Sequence, residues 1–229
     1  MAQQLAGGLA RGAGGLNTSC RGEKLDRSRQ KIDWRTGGPD GILLVNDPLQ
    51  GNDMSNERLE PIAPEKADDE QKKVIARLGE GRGRIPTPFN IWLHNGRLAA
   101  GMEIIGTHVD RSPVLSEAET EVAILSTAVF WNASYVIANH RRHALKSGIP
   151  ETVVNAILDE QRHEPVPGRL GVVCDAVGDL LAGGVVDDAR FARYVSELGR
   201  AAIAELIVTI GYFTSVSLAM TFHALQPKG

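Results

Sequence analysis

The sequence predicts an all-α fold, a helical bundle or an orthogonal helical array. From Pro64 onward, segment after segment repeats its apolar residues at helical spacing. Recognisable start and stop signals punctuate those segments, and no stretch alternates at the strand period for more than a few residues. An ILLV run at Ile42–Val45 has strand character, yet a single strand has nothing to pair with.

The elements follow in order. PEKADDEQKKVIARLG opens with a proline suited to a first turn, places acids early and bases late, and reaches Gly79, where a surface helix is expected to stop. The glycines and prolines of EGRGRIPTPFN predict a loop, and a helix is expected from Arg97 to Val109 with Leu98, Met102, Ile105 and Val109 on one side. Ser116 and Glu119 form a capping box that starts the next helix, which runs to about Trp131 and resumes from Tyr135 to Leu145. Pro150 opens a short helix, EPVPG breaks the chain, and helices are expected at Leu170–Leu181, Ala189–Leu198 and Arg200–Leu225.

The chain has 229 residues, 42% of them hydrophobic, enough for one cored domain. A net charge of −3 argues against nucleic acid or an anionic membrane as partner and favours small molecules or proteins. Cys20 and Cys174 are too few and too far apart for a disulfide framework or a zinc cluster, which suits a reducing, cytoplasmic setting. Residues 1–53, rich in Gly and Arg, read as a disordered leader ahead of a domain at 54–229; a weaker reading is an organelle transit peptide. Leu206–Leu225 is long enough to span a membrane, but its Ser, Thr and His residues favour a core helix or one sandwiched between subunits.

The densest polar group within an apolar pattern is Trp131–Ala144. Asn132, Tyr135, Asn139 and His143 fall along one helical stripe, with His140 beside it. Such a stripe either faces solvent, forms a satisfied polar seam, or carries chemistry. His140 and His143 lack both the i, i+4 spacing of helical zinc pairs and an announced third ligand, so no metal site is expected. Ser134 or Tyr135 as nucleophile would need a strained elbow that the sequence does not contain. General acid/base work by His140 remains, because histidine is the side chain suited to proton transfer near neutral pH. GEGRG at Gly79–Gly83 lacks the strand and lysine of a phosphate loop, and Cys174 reads as a small core residue.

From about Arg84 to the end, the chain resembles the carboxymuconolactone decarboxylase and alkylhydroperoxidase D superfamily. The resemblance rests on RIPTPFN (Arg84–Asn90), Glu121 within SEAETEVAIL, the segment ending in His140, Ala144 and Gly148-Ile149-Pro150, and AELIVTIGYF at Ala204–Phe213. It implies an all-helical, alkylhydroperoxidase-D-like bundle that assembles as a trimer or hexamer, with the site near subunit contacts. The peroxidase branch carries two cysteines where this chain has Ala133 and Val136, so the dithiol cycle cannot run. Decarboxylase-like members carry an acid four residues before the histidine; Val136 stands there, leaving Glu121 as the carboxylate the resemblance brings to the site.

The expectation is cofactor-free, metal-free acid/base chemistry on a small carboxylated or lactone substrate: decarboxylation, isomerisation or a related C–C lyase step. His140 shuttles the proton, Glu121 orients it, Tyr135 and Asn132 bond a substrate oxygen, His143 also binds substrate, and Arg84 anchors a carboxylate. The alternatives are a non-catalytic ligand-binding or scaffold member of the family and, less favoured, a peroxidase. Glu121 and His140 are nineteen residues apart, so on one straight helix they would be separated by about 28 Å. Cooperation therefore requires a break near Trp131–Ser134.

Overall fold

The computed structural model describes residues 58–159 and 165–227. The leader, the Ile42–Val45 run and Cys20 lie outside the described residues. The part described belongs to a compact unit spanning Gly51–Gly229. It is all-helical, with eight α-helices and no strand among the described residues.

A single 3-10 turn at Pro64–Lys66 precedes α1, Asp69–Arg82. The proline thus starts only this turn, because Asp68 sets the α-helix start: its carboxylate accepts the amide of Gln71 at 2.8 Å while Gln71 Oε1 accepts the amide of Asp68 at 2.7 Å. Gln71 also donates from Nε2 to the Leu93 carbonyl at 2.9 Å, which explains a buried glutamine. At the other end α1 continues through Gly79 and Gly81 to a left-handed cap at Gly83 (φ 67°). The expected stop at Gly79 fails because tertiary contact outweighs glycine's weak propensity: Arg82 in the last turn reaches Asp110 at 2.5 Å. RIPTPFN also gains structure, a short helix α2 at Phe89–Trp92.

Helix α3, Gly96–Asp110, has the expected bounds to within a residue, but its buried side is rotated. Gly96, Ala99, Glu103, Gly106 and Val109 face inward, while Leu98 is half exposed and Ile105 is also exposed. Close approach explains the choice of face. A Cβ on Gly106 would lie 2.4 Å from Tyr212 Oη, and one on Gly96 would lie 3.1 Å from Glu70 Cβ. Small residues bring α3 against its neighbours, and Glu103 is accommodated by the Arg77 guanidinium at 2.8 Å.

Helix α4, Glu117–Phe130, begins at the Ser116–Glu119 capping box as expected. It is the central element, packing against α5 (Ser134–Lys146), α6 (Glu151–Leu158), α7 (Gly168–Ala182) and α8 (Asp188–Phe222). Val122, Ala123 and Leu125 pack into a core with α6, α7 and the first half of α8; Ile124 and Ala128 pack into a second core with α1, α2, α3 and the second half of α8. A helix apolar on nearly every face is buried on nearly every face.

The two expected C-terminal helices form α8, which is interrupted at Gly199 (φ 81°, ψ 158°). Arg169 secures this interruption. It donates from Nη1 to the carbonyls of Glu197 and Leu198 at 3.2 Å each, and from Nε to the buried Glu119 carboxylate at 2.8 Å. Helix α8 is long and apolar enough to cross a membrane by length and composition, and a third of its most apolar window is buried against the other helices.

Candidate functional site

The chain reverses between α4 and α5 over Trp131–Ala133. Asn132 takes a left-handed conformation (φ 51°), which asparagine tolerates better than most non-glycine residues. The predicted break is therefore present, and α5 folds back along α4. That hairpin brings together two residues nineteen apart: His140 Nδ1 lies 3.0 Å from Glu121 Oε2 and 3.3 Å from Oε1.

The chemistry of the pair follows from its donors and acceptors. An ionised carboxylate can only accept, so Nδ1 carries the hydrogen and Nε2 is the basic nitrogen of the neutral ring. Nε2 has no hydrogen-bond partner among the described residues. Glu121 is 7% exposed, held on the most buried helix of the fold, whereas the His140 side chain is 22% exposed. Phe213 of α8 meets the imidazole edge-on at 5.1 Å between ring centres and fixes its plane. The arrangement is a buried carboxylate orienting a partly accessible imidazole, which is suited to moving one proton.

The other expected residues scatter. His143 is exposed, with its ring centre 5.7 Å from that of His140. Tyr135 is half-buried and shares a hydrogen bond of 2.9 Å with Thr87 Oγ1, tying α5 to the RIPTPFN loop. Asn139 donates back to the Tyr135 carbonyl at 3.0 Å, so its amide is used within its own helix. Asn132 is exposed at the turn, eleven residues from Glu121 along α4, or roughly 16 Å of helix. Arg84 is exposed and forms no ion pair among the described residues. The polar stripe is thus exposed at its two ends, Asn132 and His143, and half-buried and hydrogen-bonded at Tyr135 and Asn139, while His140, beside it, meets Glu121.

Several site residues went unrecognised in the sequence. Asp110, on the last turn of α3, has its carboxyl pushed up by burial, opposed by Arg82, His140 and Arg111 and reinforced by Glu121. The Tyr212 phenol is pushed well above the ordinary tyrosine range, chiefly by burial, so it stays protonated; its hydroxyl has no hydrogen-bond partner among the described residues. Tyr212 packs edge-on against Trp92 and Phe213, at 5.6 and 5.5 Å between ring centres. The available signal was Gly106, a glycine inside a helix, which marks a close approach without saying of what. Among the described residues no group of three His, Cys, Asp or Glu side chains is placed to hold a metal ion.

Cys174 lies in the α4–α7–α8 core, 8% exposed, away from the core that holds Phe213. Burial pushes its thiol up from 9.0 to about 11. A thiol reagent is therefore expected to leave Cys174 unmodified at pH 8 in a folded Cys20→Ser variant and to modify it on unfolding. The folded state retains a proton that the unfolded chain releases, so this contribution to stability is complete below about pH 9 and is lost as pH rises towards 11. Rapid modification of the native protein at pH 8 would contradict the assignment.

No protein-family model matches the sequence, and no curated protein sequence matches it. Among solved structures, the apo crystal structure of the debrominase Bmp8 shares the fold, with a TM-score of 0.56 and 14% sequence identity. The match covers 76% of this chain and 94% of that one.

Proposed function

We propose that this protein is an enzyme of the carboxymuconolactone decarboxylase-like kind, carrying out cofactor-free acid/base chemistry on a small carboxylated or lactone substrate. One observation carries the reading: Glu121 engages Nδ1 of His140 and leaves Nε2 without a partner among the described residues, in a partly accessible position. In this mechanism Nε2 takes a proton from carbon next to a carbonyl and returns it to another position, and Glu121 balances the imidazolium charge that forms between the two transfers. Isomerisation uses both transfers; in decarboxylation and C–C lysis the carbanion forms when the C–C bond breaks, and the step they share is the second, delivery of a proton to carbon.

The test is solvent exchange. In deuterium oxide, nuclear magnetic resonance follows a panel of small keto acids and carboxylated lactones. Deuterium incorporation or turnover by the wild-type chain, absent in His140→Ala, is the expected result. No reaction with any member of the panel would favour the alternative, a ligand-binding or scaffold protein of the same fold. The peroxidase reading is the least supported, since Ala133 and Val136 stand at the thiol positions and Cys174 is a core residue.

The same reading includes a homo-oligomer, trimeric or hexameric, in a cytoplasmic setting. Its support is the outer side of α8, where Val208, Gly211, Ser215, Leu218 and Phe222 are exposed at alternating spacings of three and four. That is the spacing of a helix–helix seam, with small residues that admit a close partner. Light scattering is expected to find an oligomer that Leu218→Glu dissociates; a monomeric wild-type chain would remove the proposal.

A further inference from the structure

Three side chains meet the His140 ring, and they differ in exposure. Glu121 and Phe213 are buried, at 7% and 6% exposed. His143 is exposed, and its ring centre lies 5.7 Å from that of His140 with the planes tilted by 41°. Residues three apart on a helix are surface neighbours, so α5 itself holds the two rings at this approach. No hydrogen bond joins them among the described residues, and one bridging water closes a gap of that size.

A proton on Nε2 needs a group to carry it to solvent, and the surroundings offer few. Arg141 and Arg142, exposed beside His140 on α5, never release theirs. The Asn139 amide does not ionise and is bonded to the Tyr135 carbonyl at 3.0 Å. Glu121 is engaged with Nδ1 on the inner side, and Asp110 of α3 is paired with Arg82 at 2.5 Å. Among the described residues that meet the ring, His143 combines exposure with a side-chain type that exchanges protons near neutral pH. The route matters to the chemistry. In decarboxylation the carboxylate leaves as carbon dioxide and the carbanion takes a proton from His140, so each turnover needs one proton from solvent. Exchange of a substrate hydrogen needs the reverse passage as well.

We propose that His143 is a proton relay between solvent and Nε2 of His140, acting through one bridging water. To discharge the imidazolium, Nε2–H gives its proton to the water, the water gives one to His143, and His143 releases one to solvent. Loading His140 runs the same transfers backwards. This is a different task from the substrate contact expected of His143. Its consequence for turnover rests on the acid/base reading above; the relay itself does not, because it acts on His140 without substrate.

The test therefore begins without substrate. In the full chain, nuclear magnetic resonance relaxation dispersion on the His140 ring reads how fast its proton arrives and leaves, in dilute buffer at the pH where half of those rings are charged. His143→Ala is expected to slow that rate about tenfold or more, a modest share of what a positioned acid/base group contributes. His143→Gln, which bonds water but carries no proton, is expected to match it, and added imidazole to restore the rate in both. Arg142→Gln, another exposed position on α5, is expected to change nothing, which separates a relay from an effect of surface charge. An unchanged rate in His143→Ala, or a slowing that imidazole does not restore, overturns the proposal. With a substrate that reacts, His143→Ala is expected to lose turnover in dilute buffer and regain it with imidazole. Proton relay without turnover of any substrate supports His143 and removes the acid/base reading; turnover with an unaltered His140 proton rate in His143→Ala does the opposite.

Discussion

His140→Ala is expected to lower solvent exchange or turnover by about 10²–10⁴-fold, the usual contribution of a positioned general acid/base. The same substitution should also lower stability, and the two effects have different origins. Glu121 is 7% exposed, and its hydrogen-bonding partner among the described residues is His140. Truncating the imidazole leaves a buried carboxylate without that partner, which costs about 1–3 kcal/mol by the general penalty for unsatisfied buried polar groups. Adding Glu121→Gln to the His140→Ala chain should therefore recover part of the stability, because a neutral amide is less costly to bury than a lone carboxylate. It should recover none of the activity. Denaturant melts and exchange rates on the two variants separate these outcomes. Wild-type rates in His140→Ala would end the dyad mechanism, and unchanged stability would show that water already solvates Glu121.

The largest purely structural effect is expected at Gly171 in the first turn of α7. A Cβ there would lie 1.9 Å from the Val166 carbonyl oxygen and 2.9 Å from its carbonyl carbon. These are backbone atoms, and Val166 is flanked by Pro165 and Pro167, whose rings restrict φ on both sides. The segment cannot move aside cheaply, so Gly171→Ala is expected to destabilise the fold by about 2–4 kcal/mol despite alanine's better helix propensity. Gly178, on the same helix, has open space where its Cβ would be. Gly178→Ala should stabilise by up to about 1 kcal/mol, since propensity acts there without a clash. Opposite shifts in unfolding midpoint for the same substitution on one helix test the argument; parallel shifts would refute it.

Most of the helices and their ends were legible in the chain, because capping, proline placement and helical spacing are local. The Ser116–Glu119 box, the break before Ser134, the Pro150 start and the interruption near Gly199 all depend on residues within a few positions of one another. Two local readings failed where distant contacts intervened. Helix α1 continues through its glycines because Arg82 finds Asp110, and α3 turns Ala99, Glu103 and Gly106 inward because Tyr212 and Arg77 approach there. A stripe of larger apolar residues predicts burial only when its neighbours are near enough, and closeness favours the small residues instead.

The site divides along the same line. That Glu121 and His140 need a hairpin to meet is a matter of helical rise and spacing, and both can be counted along the chain. Which members of the polar stripe face solvent, and that Asp110, Tyr212 and Phe213 join the dyad's surroundings from other helices, depends on how α3, α5 and α8 pack. Those residues lie between about ten and ninety positions from the pair in sequence, and no local pattern encodes contacts at that range; packing creates them.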